Sequence, residues 1–375
     1  MRTVIHGVRK LDANAEQPDS WVAFDGDMIV ATGTGAPPDA ESVIDGAARV
    51  LVPGFIDLHC HGGGGHAFDD GPEAIARALA VHRAHGTTRS VISLVSAPID
   101  ALEQSLSDIA ELASRDPLVL GSHLEGPFLS PGRCGAHDAS LLRVPDSDTV
   151  RRLLAAANGT LRQVTIAPEL DGALDAIDEF TTAGTTVAVG HSEADYDQAA
   201  AAFQRGARIL THAFNAMPGL HHRAPGPVAA AFADDRVALE LVLDGVHVHP
   251  ALARIAFMSA PGRVALVTDA MAAAAAADGD YRLGALAVTV KNGRATILGT
   301  ETIAGSTLLL DQALRNAVET VGATAAIEAL TAAPARALGL GDRFGYVSEG
   351  YAADFVLLDD RWGVTEVWAA GEKIA

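Results

Sequence analysis

Residues 51–62 read LVPGFIDLHCHG, an apolar run that ends in the pair His59-x-His61. A short apolar run bounded by turn residues is typical of a buried strand. Four later runs also end in a metal-type ligand: Glu125 in LVLGSHLEGPF, His191 in TTVAVGHS, His212 in ARILTHAFNAMP and Asp269 in RVALVTDAM. Active sites of parallel (β/α)8 barrels lie at the C-terminal ends of the strands. The pattern therefore predicts a TIM-like α/β barrel, (β/α)8, of the metal-dependent hydrolase type.

The region 51–344 is predicted to form the catalytic barrel, because apolar strands alternate there with amphipathic helices. The eight strand candidates are 51–59, 88–95, 117–125, 162–167, 185–190, 207–211, 237–243 and 264–269. The stretch 72–86 is a helix candidate that closes with Gly86. An Asn292-Gly293 turn between alternating residues predicts a β-hairpin insertion near 281–298. Residues 1–50 and 345–375 show only short strands and turns, so both termini are predicted to share one small β-sandwich domain.

Composition limits the class of protein and its partners. The chain has 375 residues, 49% hydrophobic and 20% charged, which is typical of a globular protein. No apolar run is long enough to span a bilayer, and no apolar signal segment is present at the N-terminus. A formal charge of −20 disfavours nucleic acid and anionic membrane as partners. Two cysteines cannot build a disulfide framework, so we expect a cytoplasmic protein.

The five runs point to a metal site through the geometry of strands. Side chains two residues apart share a strand face, so both imidazoles of His59 and His61 should enter the barrel mouth while Cys60 enters the wall. His191 and His212 end consecutive strands and should be neighbours. Imidazoles with carboxylates suit zinc, iron, manganese or cobalt, zinc being the commonest. Taken singly, each residue is equally compatible with a structural polar group in a strand end or loop.

Lysine usage narrows the choice of the central oxygen ligand. Many two-metal hydrolases of this architecture bridge their metals with a carbamylated lysine, but no lysine lies between residues 11 and 290. A buried carboxylate is costly unless it is paired or bound to a metal. Glu125 is therefore the candidate for the central ligand. Asp269 is placed to touch both metal and water as a general base, the alternative being a helix N-cap.

Two further clusters suggest a grip on an anionic substrate. Residues 212–226, HAFNAMPGLHHRAPG, carry Arg223 with His221 and His222, and residues 241–250, LVLDGVHVHP, carry His247 and His249. Arginine and protonated histidine form charge-assisted hydrogen bonds to phosphate or carboxylate. The alternative is a solvated loop. His82 and His85 fall on the first barrel helix and are expected at the surface.

In combination, PGFIDLHCHG, HLEGPF, VGHS, THAFNAMP with its downstream arginine, DGVHV, LVTDAM and IAGS resemble the N-acetylglucosamine-6-phosphate deacetylases of the amidohydrolase superfamily. The match runs in order over about residues 50–310. The tail, with PARALGL and G-x-x-AD-x-V-x-LD, fits the superfamily in general. HLEGPF and THAFNAMP are the motifs specific to the deacetylases.

The resemblance implies a role for each matching position. Glu125, His191 and His212 would hold the principal divalent metal, and His59 and His61 would hold a second one, giving one or two metals per subunit. Asp269 would be the general base and then the acid, and a metal contact as well. The implied substrate contacts are His137, which would polarise the acetyl carbonyl, and Asn215, Ala216, Arg223 and His247, which would hold the sugar and its 6-phosphate.

The resemblance also implies a homodimer in which Arg223 reaches the neighbouring subunit's site. Some relatives have a lysine in the loop after HLEGPF, where this chain has Arg133 and then Cys134. The implied reaction is hydrolysis of N-acetylglucosamine 6-phosphate to glucosamine 6-phosphate and acetate. The alternatives are an N-acetylgalactosamine-6-phosphate deacetylase, another N-acyl amidohydrolase, and a metal-binding protein on a barrel that does not catalyse.

Overall fold

The computed structural model describes residues 2–375, and its centre is an eight-stranded parallel barrel. Each of the eight strand candidates overlaps one barrel strand, in the expected order. The strands, which we number 1 to 8, are Phe55–Asp57, Thr87–Leu94, Val119–Glu125, Leu161–Ile166, Thr186–Val189, Ile209–Leu210, Ala238–Leu241 and Val264–Leu266. Their side chains are buried, as expected of strands covered on both faces. The predicted (β/α)8 barrel is confirmed.

The barrel closes just beyond strands 1 and 8, at the residues that carry the predicted site. Cys60 and Ala270 form a parallel bridge. The backbone N–H of His61 donates to the carbonyl of Ala270 at 2.8 Å, and the N–H of Asp269 donates to the carbonyl of His59 at 2.8 Å. The backbone that completes the barrel therefore also fixes the mutual positions of the first and last predicted ligands.

The first strand candidate, 51–59, is wrong as a single strand. Val50–Pro53 pairs in parallel with Arg2–Leu11 and antiparallel with Phe355–Leu358, whereas Phe55–Asp57 pairs with barrel strand 2. Gly54 separates the two strands. All residues of both strands are buried, so an unbroken apolar run carries no mark of the change of sheet. Val50–Pro53 thus belongs to the terminal sheet, while the domain limits near 50 and 345 stay a prediction.

Helices follow the strands and pack around the barrel. The α-helices are Pro72–Ala84, Ile99–Arg115, Ser147–Ala157, Ala173–Thr182, Tyr196–Arg205, Gly226–Ala233, Pro250–Ser259, Leu310–Val321, Ala323–Leu330 and Ala332–Ala337. Gly86 follows the first helix with φ +96°, a conformation that favours glycine. No helix among residues 2–375 is long and apolar enough to cross a membrane.

His82 does not lie at the surface as expected. The first helix buries Ile75, Ala78, Leu79 and His82, which share one face at helical spacing. The His82 Nε2 atom lies 2.9 Å from the carbonyl oxygen of Gly62 and 3.3 Å from the Cys60 sulfur. His82 therefore supports the wall behind the predicted metal ligands. His85 is partly exposed and pairs with Asp311 at 3.2 Å.

Both termini join in one branched sheet of eight strands, separate from the barrel. The strands are Arg2–Leu11, Glu16–Asp25, Met28–Thr34, Ser42–Asp45, Val50–Pro53, Phe355–Leu358, Val364–Ala369 and Glu372–Lys373. Buried residues such as Phe24, Leu51 and Phe355 give this sheet its own hydrophobic cluster. This is the small β domain that the sequence predicts from its two ends.

A buried ion pair ties the terminal sheet to the barrel. Arg89 of barrel strand 2 donates from Nε at 2.7 Å and from a terminal nitrogen at 2.9 Å to the two oxygens of Asp354. The guanidinium also stacks 4.7 Å from the ring centre of Phe344. Both ends of the pair are buried, so the contact is shielded from salt.

The insertion after barrel strand 8 has three strands instead of the two of the predicted hairpin. Gly279–Leu283, Leu286–Lys291 and Arg294–Ile297 form an antiparallel sheet. The predicted Asn292-Gly293 turn joins the last two strands, and both residues have positive φ, as a tight hairpin turn requires. Leu283 of this sheet and the residues that follow it, 301–303, reach the rim of the barrel mouth.

Candidate metal centre and active site

Donor atoms from five strand ends converge at the barrel mouth. The Nε2 atoms of His59 and His61 lie 3.1 Å apart, and those of His191 and His212 lie 2.9 Å apart. Two ligands about 2.0–2.1 Å from one zinc ion, at tetrahedral or octahedral angles, stand about 2.8–3.4 Å from each other. The spacing of the nitrogens is therefore that of neighbouring ligands around a metal.

Glu125 occupies the centre of this group. Its Oε1 lies 3.0 Å from His191 Nε2, 3.1 Å from His212 Nε2 and 3.4 Å from His59 Nε2. Its Oε2 lies 3.0 Å from His61 Nε2. One carboxylate thus contacts both histidine pairs, Oε1 reaching members of both and Oε2 reaching His61, which is an arrangement that can link two metal subsites.

The electrostatics keep this carboxylate ionised. Burial alone would raise the pKa of Glu125, but the charge of His59 and hydrogen bonds from the other histidines hold it well below its usual range. Two compact donor groups follow from the geometry: Glu125 with His191 and His212, and His59 and His61 with Asp269. Both groups are buried and combine imidazole with carboxylate. Their chemistry fits zinc and related divalent metals, and no lysine is near enough to serve instead.

Three of the ligands sit on strained backbone. His191, His212 and Asp269 have φ values of 46°, 26° and 47°. Residues other than glycine adopt this left-handed region at a cost. At each position the strand has just ended, and the left-handed residue turns its side chain over the mouth of the barrel. Gly190 makes room for this turn, since a Cβ there would lie 2.7 Å from Thr211 Cβ.

His137 is oriented by a backbone hydrogen bond. Its Nδ1 accepts from the N–H of Ser96 at 3.3 Å and lies 3.0 Å from the Ser96 hydroxyl. A neutral imidazole that accepts at Nδ1 carries its proton at Nε2. That Nε2 lies 3.4 Å from Glu125 Oε2, on the cavity side. Burial lowers the pKa of His137 to about 4, so at neutral pH it is an uncharged donor.

Asp269 faces His137 across a cavity of about 380 Å³, large enough for a phosphorylated sugar. Its Oδ1 lies 3.5 Å from His61 Nε2 and 3.6 Å from His59 Nε2. The cavity wall contains most of the predicted site: His61, Glu125, His137, His191, His212, Asn215, Ala216, His247 and Asp269. His59 lies directly behind His61 and is fully buried.

Two side chains of the cavity wall, His247 and Arg133, can carry positive charge. His247 Nδ1 lies 2.7 Å from a carboxylate oxygen of Asp244. Burial would lower the pKa of His247, but this hydrogen bond and the charge of Asp244 outweigh it and raise the pKa above its usual value. Arg133 also lines the cavity, and its buried Nε has no hydrogen-bond partner. Cys134, the next residue, does not line it.

Arg223 is the one predicted site residue that lies apart. It is exposed, it is absent from the cavity wall, and its guanidinium contacts only the neighbouring His222 at 2.8 Å. Within a single chain, therefore, the structure does not bring Arg223 to the site.

Comparison with known proteins agrees with this geometry. The model of the amidohydrolase family matches residues 50–373. The chain belongs to the amidohydrolase family. Among solved structures, the N-acetyl-D-glucosamine-6-phosphate deacetylase of Mycobacterium smegmatis is 43% identical, with a TM-score of 0.94 and 100% of both chains covered.

Two curated relatives of this amidohydrolase differ in the sugar that their names give. The N-acetylgalactosamine-6-phosphate deacetylase of Escherichia coli O157:H7 is 40% identical over 344 residues, which is 89% of this chain and 90% of the relative. The N-acetylglucosamine-6-phosphate deacetylase of Homo sapiens is 37% identical over 346 residues, covering 88% and 84%. Both relatives remove an acetyl group from an amino sugar 6-phosphate, according to their names.

Four polar residues of the amidohydrolase site were missed by the sequence reasoning. His123, Gln163 and Glu240 are fully buried on barrel strands, and Ser96 lies just after strand 2. Two of them had a readable signal. His123 shares a strand face with Glu125, and Glu240 is a carboxylate inside the apolar run VALELVL, the same cue that singled out Glu125. Ser96 acts through its backbone and gives no such cue.

Proposed function

We propose that this amidohydrolase hydrolyses the acetamido group of N-acetylglucosamine 6-phosphate, giving glucosamine 6-phosphate and acetate. One observation carries the proposal: Asp269, His137 and the candidate metal-binding group Glu125, His191 and His212 line one cavity, whose wall also carries Arg133 and His247. A general base, a neutral hydrogen-bond donor and an anion site are what this reaction needs. Relatives with matching names cover nearly the whole chain.

We assign the metals as follows. Glu125, His191 and His212 would hold the principal ion, and His59, His61 and Asp269, with the second oxygen of Glu125, would hold another. A divalent metal in this centre supplies the Lewis acidity that makes water a nucleophile at neutral pH. Zinc is the metal we favour, since four imidazoles and carboxylates are its usual ligands.

The residues of the chain would then divide the reaction between them. Asp269 accepts a proton from the attacking water and later returns it to the nitrogen of the leaving amine. His137 donates its Nε2–H to the acetyl oxygen as negative charge develops there. Because His137 is neutral and its tautomer is already set by Ser96, this donor does not need to reorganise during the reaction.

Substrate binding would rest on the polar and cationic side chains of the cavity wall. His247, whose protonated form is favoured by its contact with Asp244, is suited to the 6-phosphate, while Asn215 and Ala216 line the cavity beside His212. The phosphate group separates this substrate from N-acyl amino acids and neutral amides. The 40% identical relative named for the galacto sugar makes N-acetylgalactosamine 6-phosphate the second candidate substrate.

We also propose a homodimer in which Arg223 completes the phosphate site of the partner subunit. Arg223 is exposed and outside its own cavity, so it is free to act elsewhere. The helix Pro250–Ser259 carries Leu252, Ile255 and Met258 at a spacing of three residues, and all three are exposed. Large apolar residues exposed along one helix indicate a surface that a partner covers.

We further propose a cytoplasmic location. The two free cysteines, one of them buried, are consistent with it.

The deciding experiment measures acetate release from N-acetylglucosamine 6-phosphate, its galacto epimer and the unphosphorylated sugar, before and after metal chelation. We expect turnover of phosphorylated sugar only, lost on chelation and restored by metal. The ratio of kcat/KM for the two epimers decides between the two candidate substrates. No turnover of either phosphorylated sugar by metal-loaded protein contradicts the proposal.

A further inference from the structure

A third carboxylate, Glu240, lies directly behind the metal centre. It belongs to barrel strand 7 and is 0% exposed, and it does not line the cavity. It has no arginine or lysine partner. Burial of an unpaired carboxylate costs several kcal/mol at least, as an order of magnitude. Its neighbours therefore show what holds the charge in place.

Three groups donate hydrogen bonds to Glu240. Its Oε2 lies 3.2 Å from His59 Nδ1 and accepts from the backbone N–H of His212 at 3.3 Å. Its Oε1 accepts from Gln163 Nε2 at 2.7 Å. Glu240 thus contacts one ligand from each of the two donor groups, but only on the His59 side does it touch the imidazole itself.

The contact with His59 fixes the form of that imidazole. An ionised carboxylate only accepts hydrogen bonds, so His59 donates its Nδ1–H and leaves the Nε2 lone pair free. Nε2 faces Glu125 and Asp269. A carboxylate behind a metal-binding histidine orients the ring and increases its basicity.

The other three histidines have weaker support or none. His191 Nδ1 donates to the carbonyl of Arg133 at 2.9 Å, while the buried Nδ1 atoms of His61 and His212 have no partner. Among the four imidazoles, His59 is the one that has a carboxylate behind it. Whatever Glu240 does for the metal centre, it does chiefly through the donor group of His59 and His61.

The net charge of the buried centre also favours a second metal ion. Glu125, Asp269 and Glu240 give the buried centre three negative charges, and the four imidazoles are neutral when they bind metal. A single divalent ion leaves this centre negative in a medium of low dielectric constant. A second divalent ion reverses that imbalance, and Glu240 supplies the charge that favours it.

We infer that Glu240 is a positioning residue that raises the affinity of the second metal subsite, the His59/His61 group, for a divalent ion. It does so by holding His59 in its Nδ1–H form and by adding negative charge behind that imidazole. The inference rests on the two-metal assignment proposed above. It predicts a selective effect, because the principal ion depends on histidines that Glu240 does not orient through their rings.

The test is the variant Glu240→Gln, titrated with Zn²⁺ against a chromophoric chelator. The amide is nearly the same shape, and the Gln163 amide can turn to match it, since its buried oxygen has no partner. We expect wild type to bind two equivalents. We expect the variant to bind the first equivalent with wild-type affinity and the second about 10- to 100-fold more weakly, the usual effect of losing such support.

A matched control separates this effect from a loss of stability. Leu239→Val changes the adjacent, fully buried residue of the same strand without touching a metal ligand. We expect it to lower the Tm and to leave both affinities unchanged. The variant His59→Gln gives a further check: because Glu240 acts partly through the His59 ring, adding Glu240→Gln to His59→Gln should cause a smaller loss of affinity than Glu240→Gln causes in the wild type.

The outcomes are distinguishable. Two equivalents bound by Glu240→Gln with wild-type affinities overturn the inference but leave the two-metal assignment standing. Equal weakening of both equivalents also overturns it, since Glu240 would then support the whole centre. A wild-type protein that binds a single equivalent removes the two-metal assignment, and this inference with it.

Discussion

The backbone N–H of Ser96 donates to Nδ1 of His137, with 3.3 Å between the two nitrogens. A backbone amide cannot reverse its role, so it fixes the tautomer of His137 more firmly than a hydroxyl would. The proton of His137 is therefore on Nε2, facing the cavity.

The first prediction concerns this donor. His137→Gln removes the imidazole Nε2–H from the acetyl oxygen, and we expect kcat to fall about 100- to 1,000-fold, the usual cost of one such donor. Metal content, measured by elemental analysis, should be unchanged. Ser96→Ala is the matched control: it deletes the hydroxyl and keeps the N–H, so its loss of kcat should be far smaller. An equal loss in both variants would contradict the role given to the backbone amide.

A second prediction concerns the proton carrier. Asp269→Asn keeps the shape of the side chain but cannot accept a proton from water, so we expect kcat to fall by about 100- to 10,000-fold. The principal metal should remain bound, because Glu125, His191 and His212 are intact. Activity close to that of wild type would show that another group is the base.

The third prediction follows from the raised pKa of His247. Its protonated form binds phosphate, so KM for the phosphorylated sugar should be low below that pKa and should rise as the pH passes above it. Asp244→Asn removes the charge that raises the pKa, and the rise in KM should therefore begin at a lower pH. The phosphate itself titrates identically in both proteins, so the difference between the two KM profiles reports His247. Superimposable profiles would remove His247 from the phosphate site.

A fourth prediction tests the exchange of Arg223 between subunits. Arg223→Ala should raise KM for phosphorylated substrate, because a charge-assisted contact is lost. Dimers formed by coexpressing Arg223→Ala with Asp269→Asn contain one site with both residues intact if Arg223 acts across the interface. We expect low-KM activity in these mixed dimers. If mixing restores nothing, Arg223 acts within its own chain or not at all.

The fifth prediction concerns the junction of the two sheets. Arg89→Met leaves Asp354 buried without its partner, and we expect a loss of about 3–5 kcal/mol in the free energy of unfolding. Adding Asp354→Asn removes the unpaired charge and keeps an acceptor for the backbone N–H of Ala370, which Asp354 binds at 2.8 Å. Urea unfolding should show the double variant to be more stable than Arg89→Met alone. The opposite order would mean that the pair contributes through packing.

The sequence predicts the barrel, and it places the candidate ligands at the strand ends, because each signal is local. An apolar run followed by a metal-type ligand is a contiguous sequence pattern. A barrel of parallel strands then brings the C-terminal ends of all its strands to the same side. The change of sheet at Gly54 has no such signal, since both sides of it are apolar and buried. His82 was misplaced because its helical spacing with Ile75 and Leu79 was given less weight than its polarity.

The support behind the ligands was harder to predict for a physical reason. Glu240 reaches His59 from strand 7, 181 positions away in sequence, and only the closed barrel makes them neighbours. Ser96 contributes its backbone, which every residue has. The candidate catalytic side chains can thus be found in the sequence, whereas the groups that orient them become neighbours only in the fold.

The left-handed backbone at His191, His212 and Asp269 places the stability of the folded protein in opposition to its catalytic activity. Each position costs about 1–3 kcal/mol of folded-state stability, which a residue tolerant of positive φ would recover in part. Selection for heat resistance alone, with no demand for activity, is therefore expected to enrich glycine or asparagine at these three sites. Substitutions that stabilise the fold at these positions would therefore also remove the catalytic activity.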